Sequence, residues 1–100
     1  MADYRLSKRA DADIFQIGAY TAGRFGIRQA DRYHKGLTRT FQMLAKHPSR
    51  GSDASQVAPN LRRWSYESHI VFYLPEPKGV LIVRVLHKRM EIGRHPMNDD

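Results

Sequence analysis

At Pro48 the hydrophobic rhythm of this chain changes, and that change does most to limit its fold. Before it, apolar residues recur every three or four positions. After it, they alternate or run together in short β-branched blocks. The two rhythms belong to different backbones, because a helix repeats its faces every 3.6 residues and a strand every two. The order of rhythms predicts helices first and most of a sheet second.

The helical half divides in two. Ser7 is a good N-cap, and Asp11 and Asp13 suit the positive end of a helix that starts there. Ala10, Ile14, Ile17 and Thr21 then share one apolar face. Gly23 and Gly26 bracket the end of this helix, since glycine tolerates the backbone turn that closes one. Ile27, Ala30, Tyr33, Leu37, Phe41 and Leu44 carry the helical spacing onward. The second helix stops near His47, because a proline disfavours helix in the residue before it. The helices are placed at about 8–24 and 27–47. With so short a link they form an antiparallel hairpin.

Strands occupy the rest. Tyr4-Arg5-Leu6 fits a short edge strand, at about 3–6. Residues 49–60 are rich in Ser, Asp, Gly and Pro and read as a loop. Leu61 to Tyr66 alternates, with Trp64 and Tyr66 on one face. His69 to Leu74 is dense enough for a central strand, and Pro75, Pro77 and Gly79 make a tight connection to a β-branched run over 80–86. The polar tail from His87 to Asp100 carries Pro96 and has room for one helical turn. The expected class is α+β in β-α-α-β-β-β order, with the helix hairpin on one face of a small, mainly antiparallel sheet. A chain of 100 residues makes this a single domain over 1–100.

Composition narrows the chemistry. The chain has no cysteine, which excludes disulfides, zinc–thiolate sites and thiol catalysis. It also favours the cytoplasm, since small secreted domains usually carry disulfide staples. No apolar run approaches the roughly 20 residues that cross a bilayer, and the polar N-terminus has no signal-peptide core. A formal net charge of +7 speeds encounter with nucleic acid, an anionic membrane or an acidic protein, without choosing among them.

Two groups of residues are candidates for function. Cutting RNA by transesterification needs a base, a cationic stabiliser and an acid. Arg62, Arg63 and Arg84 suit phosphate, and His87 is a candidate base or acid, with Lys88 and Arg89 beside it. Strict alternation puts Arg84 on the face of Val80, Ile82 and Leu86, and His87 on the face of Leu81, Val83 and Val85. Either is equally a satisfied polar group at a sheet border. Arg62 and Arg63 are adjacent, so they point to opposite faces and form no single clamp. The second group is a basic stripe along the second helix: Arg28, Arg32, Lys35 and Arg39, with Arg24 one turn earlier. Such a stripe is either a solvated face or a docking surface for acidic groups. The five histidines, His34, His47, His69, His87 and His95, lack metal-ligand spacing. There is no glycine-rich phosphate loop and no serine nucleophile elbow, so no cofactor or metal is expected.

A set of motifs is spread along the chain. They begin with Tyr4-Arg5-Leu6-Ser7, Asp13-Ile14, Ile17, Tyr20-Thr21, Phe25-Gly26, Gln29-Ala30 and Tyr33, and continue through Phe41, Leu44, Pro48 and Gly51. Leu61-Arg62-Arg63, Tyr66-Glu67-Ser68-His69, Phe72-Tyr73, the stretch from Ile82 to Met90 and Arg94-His95 follow. In this order they resemble the ParE toxins of the RelE/ParE toxin–antitoxin superfamily, the stretch from Ile82 to Met90 being the most specific. The resemblance implies a non-catalytic, plasmid-stabilisation type of toxin that inhibits DNA gyrase by protein–protein binding. It implies a ParD-like antitoxin with a ribbon-helix-helix half and a wrapping tail, joined to the toxin in a hetero-oligomer that touches DNA only through the antitoxin. The alternative within the superfamily is a RelE-like ribosome-dependent mRNA endonuclease using His87, Arg84 and Arg62. Such nucleases commonly carry a C-terminal tyrosine, whereas no aromatic residue here follows Tyr73. Expected partner contacts are Arg28, Arg32, Lys35, Arg39 and Arg89, with Tyr33 and Trp64 as anchors.

Overall fold

Ser7 turns the chain from its first strand, β1 (Asp3–Leu6), into its first helix, α1 (Lys8–Phe25). Its hydroxyl accepts from the Ala10 N–H at 2.9 Å and donates to the Val83 carbonyl at 2.7 Å. One buried side chain thus caps the helix and ties it to the sheet. The computed structural model describes residues 2–90 and residue 97, and the helical turn expected in the tail falls outside them.

Gly26 alone separates α1 from α2 (Ile27–Lys46). It can do so because φ 97° and ψ 163° lie where side chains beyond hydrogen are strained. Along α2 the inward stripe of Leu37, Phe41, Leu44 and Ala45 is buried. Ile27, expected on that stripe, is instead 80 % exposed. Burial sets in only from Ala30, once the helix has passed its first turn.

The segment expected to be a plain loop, 49–60, contains structure. A 3₁₀ turn (Pro48–Arg50) leads into a two-residue strand, β2 (Ser52–Asp53), which pairs with β3 (Arg62–Tyr66). The cause is remote in sequence: the buried Tyr73 hydroxyl donates to the Pro48 carbonyl at 2.7 Å and accepts from the Gly51 N–H at 2.9 Å. The last two strands are longer than their apolar runs, β4 spanning His69–Glu76 and β5 Gly79–His87. Pro75 and Gly79 therefore lie in strands, not in the connection. Proline is tolerated there because β3 pairs with β4 only as far as Tyr73, so β4 is an edge at that point.

The sheet runs β1-β5-β4-β3-β2, with β1 parallel to β5 and every other pair antiparallel. Element order and class are those expected. Both helices lie on one face, where Val71, Tyr73, Val80, Ile82 and Val85 meet Leu37, Phe41 and Leu44. The other face is apolar as well: Ile70, Phe72, Val83 and Leu86 pack with Ala54 and Leu61 from the segment after β2.

Strict alternation fails in β5. Phe72 pairs with Arg84 but Tyr73 pairs with Ile82, so Val83 is an extra residue bulged out of register. Val80 and Ile82 face the helices, and after the bulge so does Val85, while Val83 and Leu86 join the opposite core. Arg84 and His87 do not keep the faces that simple counting assigns them.

Candidate interaction groove

β1 pairs with β5 only up to Ile82, which leaves the far half of β5 without a neighbouring strand on that side. Asp13 of α1 fills the gap. Its carboxylate accepts from the Val85 N–H at 3.0 Å and holds Arg84 through both oxygens, each bond 2.8 Å. Both side chains are nearly out of water, at 11 % and 9 % exposure. Its hydrogen bond to Asp13 holds the Arg84 guanidinium above its ordinary pKa, against the cost of burial. Asp13 lies inside the apolar stripe of Ala10, Ile14 and Ile17, a position where a carboxylate needs a partner.

Beyond this ion pair a groove of about 710 Å³ opens between the helices and the far ends of β4 and β5. One wall is α1, with Gln16, Ile17, Tyr20 and Thr21. Phe25 and Gln29 from the helix junction line the groove too, as do Glu67, Ser68, Val85 and Met90. Tyr20, Phe25 and Met90 are exposed large apolar residues, at 64 %, 63 % and 45 %. So much uncovered aromatic surface on so small a domain is a mark of an interaction site.

Three polar rings, Tyr33, His69 and His87, lie together on the groove. The Tyr33 hydroxyl lies 2.6 Å from His69 Nδ1, and its ring packs edge-on against His69 at 5.5 Å between centroids. His69 and His87 are themselves edge-on at 5.4 Å. Burial, reinforced by His87 and opposed by Asp13, lowers the His69 pKa to about 4. Burial raises the Tyr33 pKa to about 12, the Ser68 backbone hydrogen bond opposing it. The histidines meet because of the bulge. Counted straight from the Glu76–Gly79 end of the hairpin, His69 would sit opposite Leu86. The extra residue at Val83 brings His87 opposite instead.

The sequence candidates divide sharply. Arg84 is engaged by Asp13. Arg62 donates to the Gly51 carbonyl from Nε at 3.0 Å and to the Ser49 carbonyl at 2.9 Å, so it holds the segment leading into β2. Arg63 lies on the other face, its guanidinium carbon 5.8 Å from the Phe72 ring centroid. His87 is on the groove, its Nδ1 accepting from the Arg89 N–H at 3.1 Å. Arg28, Arg32, Lys35 and Arg39 are exposed along α2, with Lys35 paired to Asp31 at 3.0 Å. Tyr33 is half-buried on the groove, whereas Trp64 packs at the edge of the helix-side core. Asp13, His69, Tyr20 and Phe25 were not among the sequence candidates.

Comparison with known proteins places this geometry in a family. A family model described as the ParE toxin of the type II toxin–antitoxin system parDE matches residues 4–92. Toxin ParE1 of Caulobacter vibrioides is 40 % identical over 95 residues, covering 95 % of this chain and 98 % of the relative. Toxin ParE of Escherichia coli is 36 % identical over 93 residues, covering 92 % and 90 %. A solved chain from the chromosomal ParDE TA system of P. aeruginosa superposes with a TM-score of 0.74 at 17 % identity, over 87 % of this chain and 96 % of that one, and shares the fold. With a family model running along nearly all of it and relatives matched over nearly their whole length, the chain belongs to the ParE family of type II toxin–antitoxin toxins.

Proposed function

We propose that this toxin acts in the cytoplasm by binding DNA gyrase, with no bond chemistry of its own, and that a ParD-like antitoxin neutralises it by laying an acidic, amphipathic tail in the groove. The observation that carries this reading is the groove itself: open, lined by exposed Tyr20, Phe25 and Met90, and close to a helix bearing Arg28, Arg32, Lys35 and Arg39. Apolar tail residues would fill the groove, and the basic helix would steer acidic partners toward it. The domain touches DNA only through the antitoxin's ribbon-helix-helix half.

The engagement of Arg84 and Arg62 supports a binding role over a catalytic one. Both guanidinium groups donate to acceptors within the protein, and phosphate binding would have to displace those bonds. Purified toxin should stop gyrase supercoiling while leaving ribosome-bound mRNA intact, and added antitoxin should restore supercoiling. Supercoiling that continues at every toxin excess rejects gyrase as the target. Cleavage of ribosome-bound mRNA that disappears in His87→Ala would establish the RelE-like endonuclease instead.

A further inference from the structure

The polar rings on the groove have a defined hydrogen-bond pattern. Tyr33, with its pKa raised to about 12, keeps its proton, and His69, lowered to about 4, is a neutral imidazole near pH 7. The hydroxyl proton has two acceptors in reach, His69 Nδ1 at 2.6 Å and the Tyr66 carbonyl at 3.4 Å. The shorter contact takes it. Nδ1 of His69 is then an acceptor, and the ring's own proton sits on Nε2. In His87, Nδ1 accepts from the Arg89 backbone, which again leaves the proton on Nε2. Both rings line the groove and their centroids are 5.4 Å apart. Two ring N–H donors are thereby set on one groove, on rings edge-on to each other, with no acceptor assigned to either Nε2 among the described residues.

We propose that His69 and His87 form a paired N–H donor site for one carboxylate side chain of the antitoxin's acidic tail, whose apolar neighbours pack on Ile17, Tyr20 and Phe25. This rests on the groove being the antitoxin site and adds what it reads there. Charge complementarity selects the occupant. The chain carries +7, Arg24 lies against Phe25 with its guanidinium carbon 5.9 Å from the ring centroid, and Lys88 and Arg89 follow the end of β5. Asp13 from α1 also lines the groove but is neutralised by Arg84. Glu67, on the turn between β3 and β4, is the carboxylate among the described lining residues that opposes the incoming charge, and burial keeps the Tyr33 hydroxyl uncharged. Each Nδ1 already accepts a hydrogen bond, so the two rings meet the carboxylate as neutral N–H donors and binding needs no added proton.

The test is calorimetric titration of the full toxin with the full-length antitoxin encoded beside its gene, at about pH 7.5. His87→Leu, which removes a donor to a charged group, should weaken binding about tenfold. His87→Gln keeps an N–H near the Nε2 position and should hold affinity within about threefold. His87 is half-exposed, so these variants should fold, and their melting temperatures check that. Replacing the tail's carboxylates by amides one at a time should find one that weakens binding to wild type about tenfold and leaves binding to His87→Leu unchanged, as a paired contact requires. His87→Leu at wild-type affinity, or a tail with no carboxylate that couples to it, overturns the donor site while leaving the antitoxin reading intact. No binding by folded toxin overturns both.

Discussion

Removing the carboxylate of Asp13 is the most revealing single perturbation of this fold. Asp13→Ala deletes the bonds to Arg84 Nε and Nη2 and to the Val85 N–H at once. What remains is a guanidinium whose side chain is 9 % exposed and has lost the Asp13 carboxylate. Breaking one side of a buried pair costs about 3–5 kcal/mol, because the surviving charge stays desolvated. A small domain has about 5–15 kcal/mol in all, so the variant should sit near the edge of unfolding. For a chain of this size the melting temperature should fall by roughly 15–30 °C. Asp13→Leu combined with Arg84→Met tests the reasoning separately. It removes both charges and leaves the Val85 N–H as the unmatched group, a cost of about 1–3 kcal/mol. The double variant should therefore be more stable than Asp13→Ala, with a coupling energy of about 3 kcal/mol in a double-mutant cycle. Urea denaturation followed by circular dichroism measures wild type, Asp13→Ala, the Asp13→Leu and Arg84→Met singles and the double variant. A loss below about 1 kcal/mol in Asp13→Ala would show that water screens the pair, and the account of how α1 is pinned to β5 would fail.

Three further outcomes are expected. Tyr73→Phe leaves the Pro48 carbonyl and Gly51 N–H without their shared partner, so it should cost about 1–3 kcal/mol in urea unfolding; under 0.5 kcal/mol would mean the β2 segment holds itself. Gly26→Ala should cost about 1–3 kcal/mol, while Gly23→Ala, with open space around its Cβ position inside α1, should gain up to about 1 kcal/mol; equal effects would refute the role given to the φ of 97°. For His69 the unfolded ring takes up its proton near pH 6.5 and the folded ring near 4, so its contribution is full above 6.5 and is lost as the pH falls toward 4. Allowing for its half-exposed position, wild type should lose about 2 kcal/mol more than His69→Gln over that window, and parallel pH–stability curves would reject the shift.

Much of this fold was legible because local signals agreed with it. Ser7 reads as a cap and is one, the stripe from Leu37 to Leu44 reads as buried and is, and the rhythm change at Pro48 divides helices from the later strands. The short strand β2 was hidden because its partner is β3 and the turn leading into it is held by Tyr73, both farther along the chain. The groove was hidden for a related reason. Tyr33 was singled out as an anchor, but His69 looked like one scattered histidine, since nothing before the hairpin register is known puts it beside His87. Strict alternation along β5 misses the bulge at Val83, and in a strand one residue is the whole difference between two faces. Asp13 did leave a trace: a carboxylate between Ala10 and Ile17 on an inward stripe has to be met by a cation or a backbone donor. Its partners are 71 and 72 residues away, and no local pattern names them.

The bulge at Val83 joins stability to binding in one place. Arg84 and Val85 directly follow the extra residue and are held by Asp13 from the neighbouring helix. Two residues further, the same shift sets His87 opposite His69 and onto the groove. If Asp13 releases this stretch, the strand end that carries His87 loses its anchor together with the helix that forms the groove's wall. A ligand seated on the groove stabilises the native arrangement in return, since whatever binds only the folded state shifts the balance toward it. The strand irregularity is therefore better understood as what aligns the groove than as a defect in the sheet. Mutations that disturb the Asp13–Arg84 pair should weaken partner binding even though Arg84 does not line the groove.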